Sequence, residues 1–324
     1  MSSRIRRRVV ALAVALSFCA AACASILGMD DFSLEGKDAG GDVSLTEGGP
    51  GPVDAGGPCD PDAQFTKLPV PGLTDLGWRS MRAATLSPDE LTIYFNGSPD
   101  GGRSNIYRAK RNARAEDFKD VELLPNVNDL SVPNLSPSLS SDEKTLVFSR
   151  QVTSTDLFFA SRPRKTDEFG NAVRFNNRVN SDVSDVNPFI ALDGQELWFS
   201  SDRDASSATP HMFMAKASAG AFDNPVSVAP PDPTSSRQES PVLSADGTIL
   251  FYSGNGENDA TDANDIWEAR REATNLPFQK RRHVTELGTK GIEYPSWLSP
   301  DGCHLYMHSL EGTVGAIYVG ERKR

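Results

Sequence analysis

The sequence predicts an all-β fold built from five repeated four-stranded units, on the strength of three recurring signals. The first is a turn, Leu86-Ser87-Pro88-Asp89, which returns as Leu139-Ser140-Ser141-Asp142, Ile190-Ala191-Leu192-Asp193, Leu243-Ser244-Ala245-Asp246 and Leu298-Ser299-Pro300-Asp301, its aspartates 53, 51, 53 and 55 residues apart. The second is an aliphatic residue or Met followed by an aromatic and, two positions later, a small residue: Ile106-Tyr107, Leu157-Phe158, Met212-Phe213, Ile266-Trp267 and Ile317-Tyr318, with Ala109, Ala160, Ala215, Ala269 and Gly320. The third is a Phe that opens a short polar and β-branched run, at Phe65, Phe118, Phe169, Phe222 and Phe278. Three landmarks sharing one period of about 53 residues, with four strands in each period, have the spacing of β-propeller blades. The predicted fold is a five-bladed β-propeller.

Each element follows from local chemistry. Ser-Pro-Asp-Gly is a turn sequence, because Pro presets φ at its second position and Gly accepts positive φ at its fourth. Glu90 and Glu143 stand in place of that Gly in the first two units, at an expected cost in local stability. The apolar triplets that follow, Ile93-Tyr94-Phe95, Leu146-Val147-Phe148, Leu197-Trp198-Phe199, Leu250-Phe251-Tyr252 and Leu305-Tyr306-Met307, are second strands, so each turn closes a hairpin. The aliphatic-aromatic pairs mark third strands and the Phe runs fourth strands. Phe65 precedes the first hairpin, and the fifth third-strand, Ile317 to Gly320, is followed by only a few residues. The N-terminal strand is therefore expected to complete the last blade, so that the closed ring leaves no open sheet edge.

The repeat unit, with Pro137, Pro188, Pro241 and Pro295 leading it and Ala84 near that place in the first copy, resembles the TolB-type (WD40-like) propeller repeat over residues 65 to 324. The resemblance implies the fold and says little about activity, since such propellers act as docking platforms or as parts of peptidases. No Gly-x-Ser-x-Gly elbow, phosphate loop or Cys-x-x-Cys occurs, and no segment is left over for a hydrolase domain.

Ahead of the repeats, Arg4 to Arg8 form a basic region and Val9 to Ala22 an apolar stretch of 14 residues, the pattern of a signal peptide over residues 1 to 22. Ala20-Ala21-Ala22-Cys23 resembles a bacterial lipobox, with Ala where Leu is usual; the expectation is cleavage before Cys23 and lipidation of its thiol, the alternative an ordinary secretory signal cleaved nearby. Ala24 is not the Asp that retains enteric lipoproteins at the inner membrane, so an outer-membrane anchor in the cell envelope is expected. Residues 23 to 63, rich in Gly, Asp and Pro, read as a flexible linker with a reach of roughly 35 Å. The formal charge of −11 becomes −15 once Arg4, Arg6, Arg7 and Arg8 are removed, which argues against nucleic acid as a partner.

With Cys23 acylated, Cys59 and Cys303 remain, and they are expected to form a disulfide that staples the first strand to the last blade. His304 and His308 fall on one strand face roughly 13 Å apart, too far to share a metal, and Asn255 to Asp265 lacks the spacing of a calcium loop. No metal or cofactor is implied. The residues just before the leading prolines, Ser136, Asn187, Glu239 and Glu293, are the candidate ligand-binding mouth, where one segment from every blade approaches the axis. The expected function is that of a non-catalytic envelope scaffold binding a protein or glycan partner. The alternative is a surface glycoside hydrolase using the mouth carboxylates Glu239 and Glu293.

Overall fold

A computed structural model describes residues 57–191, 194–204, 210–218, 220–229, 231, 237–255 and 264–324. The expected signal segment, Cys23, most of the linker and most of the Asn255 to Asp265 loop lie outside the described residues.

The described strands pair into five antiparallel units. In chain order, β1 (Phe65–Pro69) stands alone before the first unit of β2 (Ser80–Leu86), β3 (Thr92–Ser98), β4 (Asn105–Lys110) and β5 (Lys119–Leu123). The second holds β6 (Asn134–Leu139), β7 (Thr145–Gln151), β8 (Thr155–Ser161) and β9 (Val173–Arg174). The third holds β10 (Asp185–Ile190), β11 (Glu196–Ser201), β12 (His211–Ser218), β13 (Ala221–Phe222) and β14 (Val226–Ser227). The fourth holds β15 (Gln238–Leu243), β16 (Ile249–Gly254), β17 (Asp265–Arg270) and β18 (Lys280–His283); the last holds β19 (Ile292–Leu298), β20 (His304–Glu311) and β21 (Val314–Arg322). Strand β1 completes the last unit, pairing with β21 from Phe65↔Arg322 to Pro69↔Tyr318. The first strands β2, β6, β10, β15 and β19 adjoin one another in a closed cycle. This is a propeller. A parallel bridge, Ser80↔Gly315, adds a backbone link between the first and last units. It requires glycine, because a Cβ on Gly315 would lie 2.9 Å from the Met81 carbonyl oxygen.

Both faces of each sheet are covered by its neighbours, so the second strands bury consecutive residues: Ile93, Tyr94 and Phe95 are all at most 1% exposed. The core is accordingly divided into inter-sheet clusters, one of which joins Leu86 and Phe95 to Trp297 and Val319 across the closure. The Phe landmarks sit at or just before the fourth strands, all buried. Those outer strands are short, and Pro225, which has no N–H to donate, separates β13 from β14.

The turns show why Ser and Asp recur. Ser87 Oγ donates to Asp89 Oδ1 at 2.6 Å while accepting the Thr92 N–H, and the same arrangement returns at Ser140, Ser244 and Ser299. Glu90 and Glu143 occupy the positive-φ position at 61° and 60°. The Glu90 carboxylate is buried and lies 2.9 Å from His304 Nδ1 of β20, so its conformational cost is offset by a tie across the closure.

A fourth recurring residue escapes the sequence reading. Five positions after the start of each third-strand motif stands an Arg, at Arg111, Arg162, Arg271 and Arg322, with Ala217 in the third unit. Each Nε donates to the carbonyl of the positive-φ turn residue, Glu90, Glu143, Gly247 or Gly302, at 2.7 to 2.8 Å. Each guanidinium also covers the buried Phe of its unit: Arg162 stands 4.2 Å from the Phe169 ring centre and Arg322 4.8 Å from that of Phe65. Arg322 thus treats Phe65 as the Phe of the last unit. Replacing Arg162 by Met keeps the stem and removes the latch, and is expected to cost about 2 kcal/mol from a charge-assisted hydrogen bond and a cation–π contact. Urea denaturation measures it; a loss below about 0.5 kcal/mol, the size of an ordinary surface substitution, would show that the latch is idle.

Residues at the end of the expected linker are tied to the propeller. Cys59 and Cys303 form a disulfide with Cα atoms 5.2 Å apart. Cys59 N–H donates to Asp301 O, Pro61 O accepts from Arg270 and Arg322, and Asp62 pairs with Arg270 at 2.7 Å. This staple sits at the hairpin-turn end of the last unit, the other end of β19 from the mouth.

Candidate functional site

The inner strands carry a kink just before the leading Pro, where Ala83, Ser136, Asn187 and Ser240 adopt positive φ between 39° and 56°. The kink is a β-bulge in the pairing with the second strand, and bulges re-aim side chains. The residues one position earlier, Arg82, Leu135, Val186 and Glu239, turn toward the axis and pair with Asn96, Ser149, Ser200 and Ser253. Neighbouring blades hold the kinks in place: Ser136 N–H donates to Asn96 Oδ1 at 3.0 Å, Ser240 N–H to Ser200 Oγ at 2.9 Å.

The fifth strand breaks the pattern by one residue. Pro137, Pro188 and Pro241 stand three residues before the turn position held by Ser140, Ala191 and Ser244, whereas Pro295 stands four before Ser299. Proline cannot take positive φ, so the bulge moves beyond it, between Pro295 and Trp297. Tyr294, paired with His308, therefore occupies the place held by Glu239, and Glu293 corresponds to Gln238. Because side chains alternate between faces, a one-residue slip sends Glu293 to the other side.

The result is a cavity of about 240 Å³ at the mouth, with polar and apolar lining residues. Of the four sequence-predicted residues, Ser136, Asn187 and Glu239 line it, joined by Arg82, Tyr294 and His308, which the sequence reading did not place there. Glu293 does not line it, and its expected place at the mouth is corrected by the slip. It is 0% exposed, and Oε1 accepts from Thr289 N–H at 2.9 Å and from the Thr289 hydroxyl. Burial, with the neighbouring Asp265 carboxylate, pushes Glu293 up to about 7. Counting from the turn serine instead of from the proline would have found Tyr294. Below the cavity, Pro137, Pro188, Pro241 and Pro295 narrow the axis to about 20 Å³.

Within the cavity Ser136 Oγ donates to Asn187 Oδ1 at 2.9 Å. Glu239 accepts from Asn264 Nδ2 at 2.9 Å and lies 3.6 Å from Arg237 Nη1; burial raises its carboxyl above the usual range, against the pull of Arg237 and Asn264. His308 stacks on Tyr294 with ring centres 4.9 Å apart, and burial beside Arg82 pushes it down to about 3, so the imidazole is neutral at ordinary pH. Two buried polar atoms here, Ser149 Oγ and His308 Nδ1, have no hydrogen-bond partner among the described residues. A neutral imidazole, a carboxylate, a guanidinium, a phenol and amides within one small space offer both donors and acceptors to a polar ligand. Among the described residues no group of three or more His, Cys, Asp or Glu is placed to hold a metal ion.

No protein-family model and no curated protein matches the chain. Among solved structures, it is similar to a GH62 hydrolase in complex with xylotriose, at 10% identity and a TM-score of 0.54 over 80% of this chain and 97% of that one. It is similar at 10% identity and a TM-score of 0.52 to the α-L-arabinofuranosidase of Podospora anserina in complex with cellotriose, over 81% and 97% of the two chains. TolB of Acinetobacter baumannii aligns at 16% identity and a TM-score of 0.46 over 76% of this chain, which spans 55% of that one. Likeness to propeller glycoside hydrolases at so low an identity speaks to architecture alone, and with the all-β strand order it establishes that the chain is a β-propeller.

Proposed function

We propose that this protein is a non-catalytic binding propeller of the cell envelope whose ligand, a glycan or the polar tip of a protein partner, seats in the mouth cavity. One observation carries the reading. The inner strands of all five units contribute side chains to one cavity, where Ser149 Oγ and His308 Nδ1 are buried without a partner among the described residues, and burial of such groups is costly until something hydrogen-bonds to them.

The alternative reading is a surface glycoside hydrolase, the activity that the GH62 neighbour's name carries. Glycoside hydrolysis ordinarily works with two carboxyl groups flanking the bond. Among the described lining residues Glu239 is the one carboxylate, with Glu293 turned away, and this favours binding over hydrolysis. Export to an oxidising compartment is supported by the Cys59–Cys303 disulfide, and lipidation at Cys23, with an outer-membrane anchor, belongs to the same proposal. Among the described residues no helix is long and apolar enough to cross a membrane.

Binding to an array of envelope polysaccharides, compared between wild type and Asn187→Ala, tests the reading. Capture by the wild type, weakened about tenfold in the variant, the worth of one polar contact, with no reducing sugar released, is the expected result. Sugar release that Glu239→Gln abolishes would establish the hydrolase instead, and binding undiminished by Asn187→Ala would move the site out of the mouth.

A further inference from the structure

We propose that the mouth takes an anionic saccharide, a uronate-bearing oligosaccharide, whose carboxylates are gathered by Arg79, Arg82 and Arg103 in a cleft beside the central cavity. The inference rests on the reading of the mouth as the binding face. A cleft of about 650 Å³ opens there, and Arg82 and Leu135 line both it and the cavity, so the two adjoin.

The charge of the cleft runs against that of the chain. Acidic residues outnumber basic ones 44 to 33, yet among the described residues lining the cleft there are three arginines and no Asp or Glu. Elsewhere guanidinium groups are matched either by carboxylates, as Arg108 by Glu122 and Glu168, Arg174 by Asp156 and Arg203 by Asp185, or by backbone carbonyls, as Arg150 by Val127 and Arg162 by Glu143. Arg79, Arg82 and Arg103 have no carboxylate within 4.0 Å among the described residues. Arg82 is the telling one, since it is half-buried and, among the described residues, its Nε donates only to Ser80 Oγ at 3.1 Å. A guanidinium that has lost hydration without gaining a counter-charge is unfavourable until an anion arrives. Its planar fork matches a carboxylate with two parallel hydrogen bonds.

The backbone is shaped around this group. Arg79 stands just before β2 and Arg82 within it, and Arg103 comes from the loop after β3. Gly101, at φ 81°, lets the Arg79 stem lie across that loop, where a Cβ would stand 2.6 Å from Arg79 Cδ. Asp100 in the same loop is exposed, its Oδ1 accepting the Gly102 N–H at 2.9 Å, and does not line the cleft. The ligand's chemistry follows from the two compartments together. Anionic groups suit the arginines, whereas Ser136, Asn187, His308 and Glu239 present the mixed donors and acceptors that sugar hydroxyls use.

Calorimetric titration of the full chain with trigalacturonate, neutral galactotriose, a poly-L-glutamate peptide and inorganic phosphate tests the inference. Trigalacturonate should bind at least tenfold more tightly than galactotriose and weaken with salt, and Arg79→Ala/Arg103→Ala should lose at least tenfold and much of the salt dependence. In Asn187→Ala both sugars should weaken together. If trigalacturonate binds no better than galactotriose, or binds undiminished in the double variant, the arginine cleft is overturned, and a loss in Asn187→Ala alone then leaves the mouth reading standing. Tighter binding of the peptide or of phosphate than of trigalacturonate overturns the saccharide class, and no binding of trigalacturonate by the wild type overturns the proposal outright.

Discussion

Deleting residues 64–72 is expected to abolish cooperative unfolding, whereas deleting residues 30–55 should leave the transition where it is. The first deletion removes β1, the five-residue ladder to β21, and the buried side chains of Phe65 and Val70. Phe65 alone, truncated to Ala, should cost about 3 to 5 kcal/mol, and the sum approaches the whole stability of a typical domain. Cys303→Ser acts on the same closure by breaking the buried disulfide. The disulfide spans 244 residues, and its loss should lower stability on the order of 5 kcal/mol by the chain-entropy account. Thermal and urea melts of the three variants measure these effects. Equal transitions for the two deletions would show that the ring does not close through β1.

Opposed pH dependences are expected from two buried groups near the mouth. Glu293 is raised to about 7 by burial and by Asp265, so the folded state holds a proton that the unfolded chain releases above about pH 4.5. Its stabilising effect is full below about pH 4.5 and is lost as pH rises to about 7. His308 is lowered to about 3, so its effect is full above about pH 6.5 and is lost as pH falls toward about 3. At about 1.4 kcal/mol per unit, Glu293→Gln should gain on wild type by on the order of 3 kcal/mol between about pH 4.5 and about pH 7. By the same arithmetic His308→Gln should gain on wild type by on the order of 4 kcal/mol as pH falls from about 6.5 to about 3. Glu239, also raised, adds to the first trend, and His304, raised by Glu90 against its burial, loses its stabilising effect only above about pH 6.5. Stability measured by urea at stepped pH checks both. Curves for either variant that stay parallel to wild type would remove that residue from the account.

Much of this protein is written locally. The strands follow from consecutive apolar triplets and turn chemistry, and the early position of Phe65 already implies that β1 belongs to the last unit. The disulfide was legible because two thiols flank that one closure. What lay beyond local reading depends on phase or on closure. Glu239 and Glu293 both stand two residues before a proline, yet only one reaches the cavity, because Pro295 cannot take the positive φ that kinks the other inner strands. The tie between Glu90 and His304, 214 residues apart, exists only because the ring brings the first turn against the last sheet. So too with the cleft: Arg79, Arg82 and Arg103 are scattered charges in an acidic sequence, and only the folded loops stand them together without a counter-charge. Periodicity determines which residues form strands, and side chains meet across a cavity according to bulge position and ring closure, which are properties of the assembled sheets.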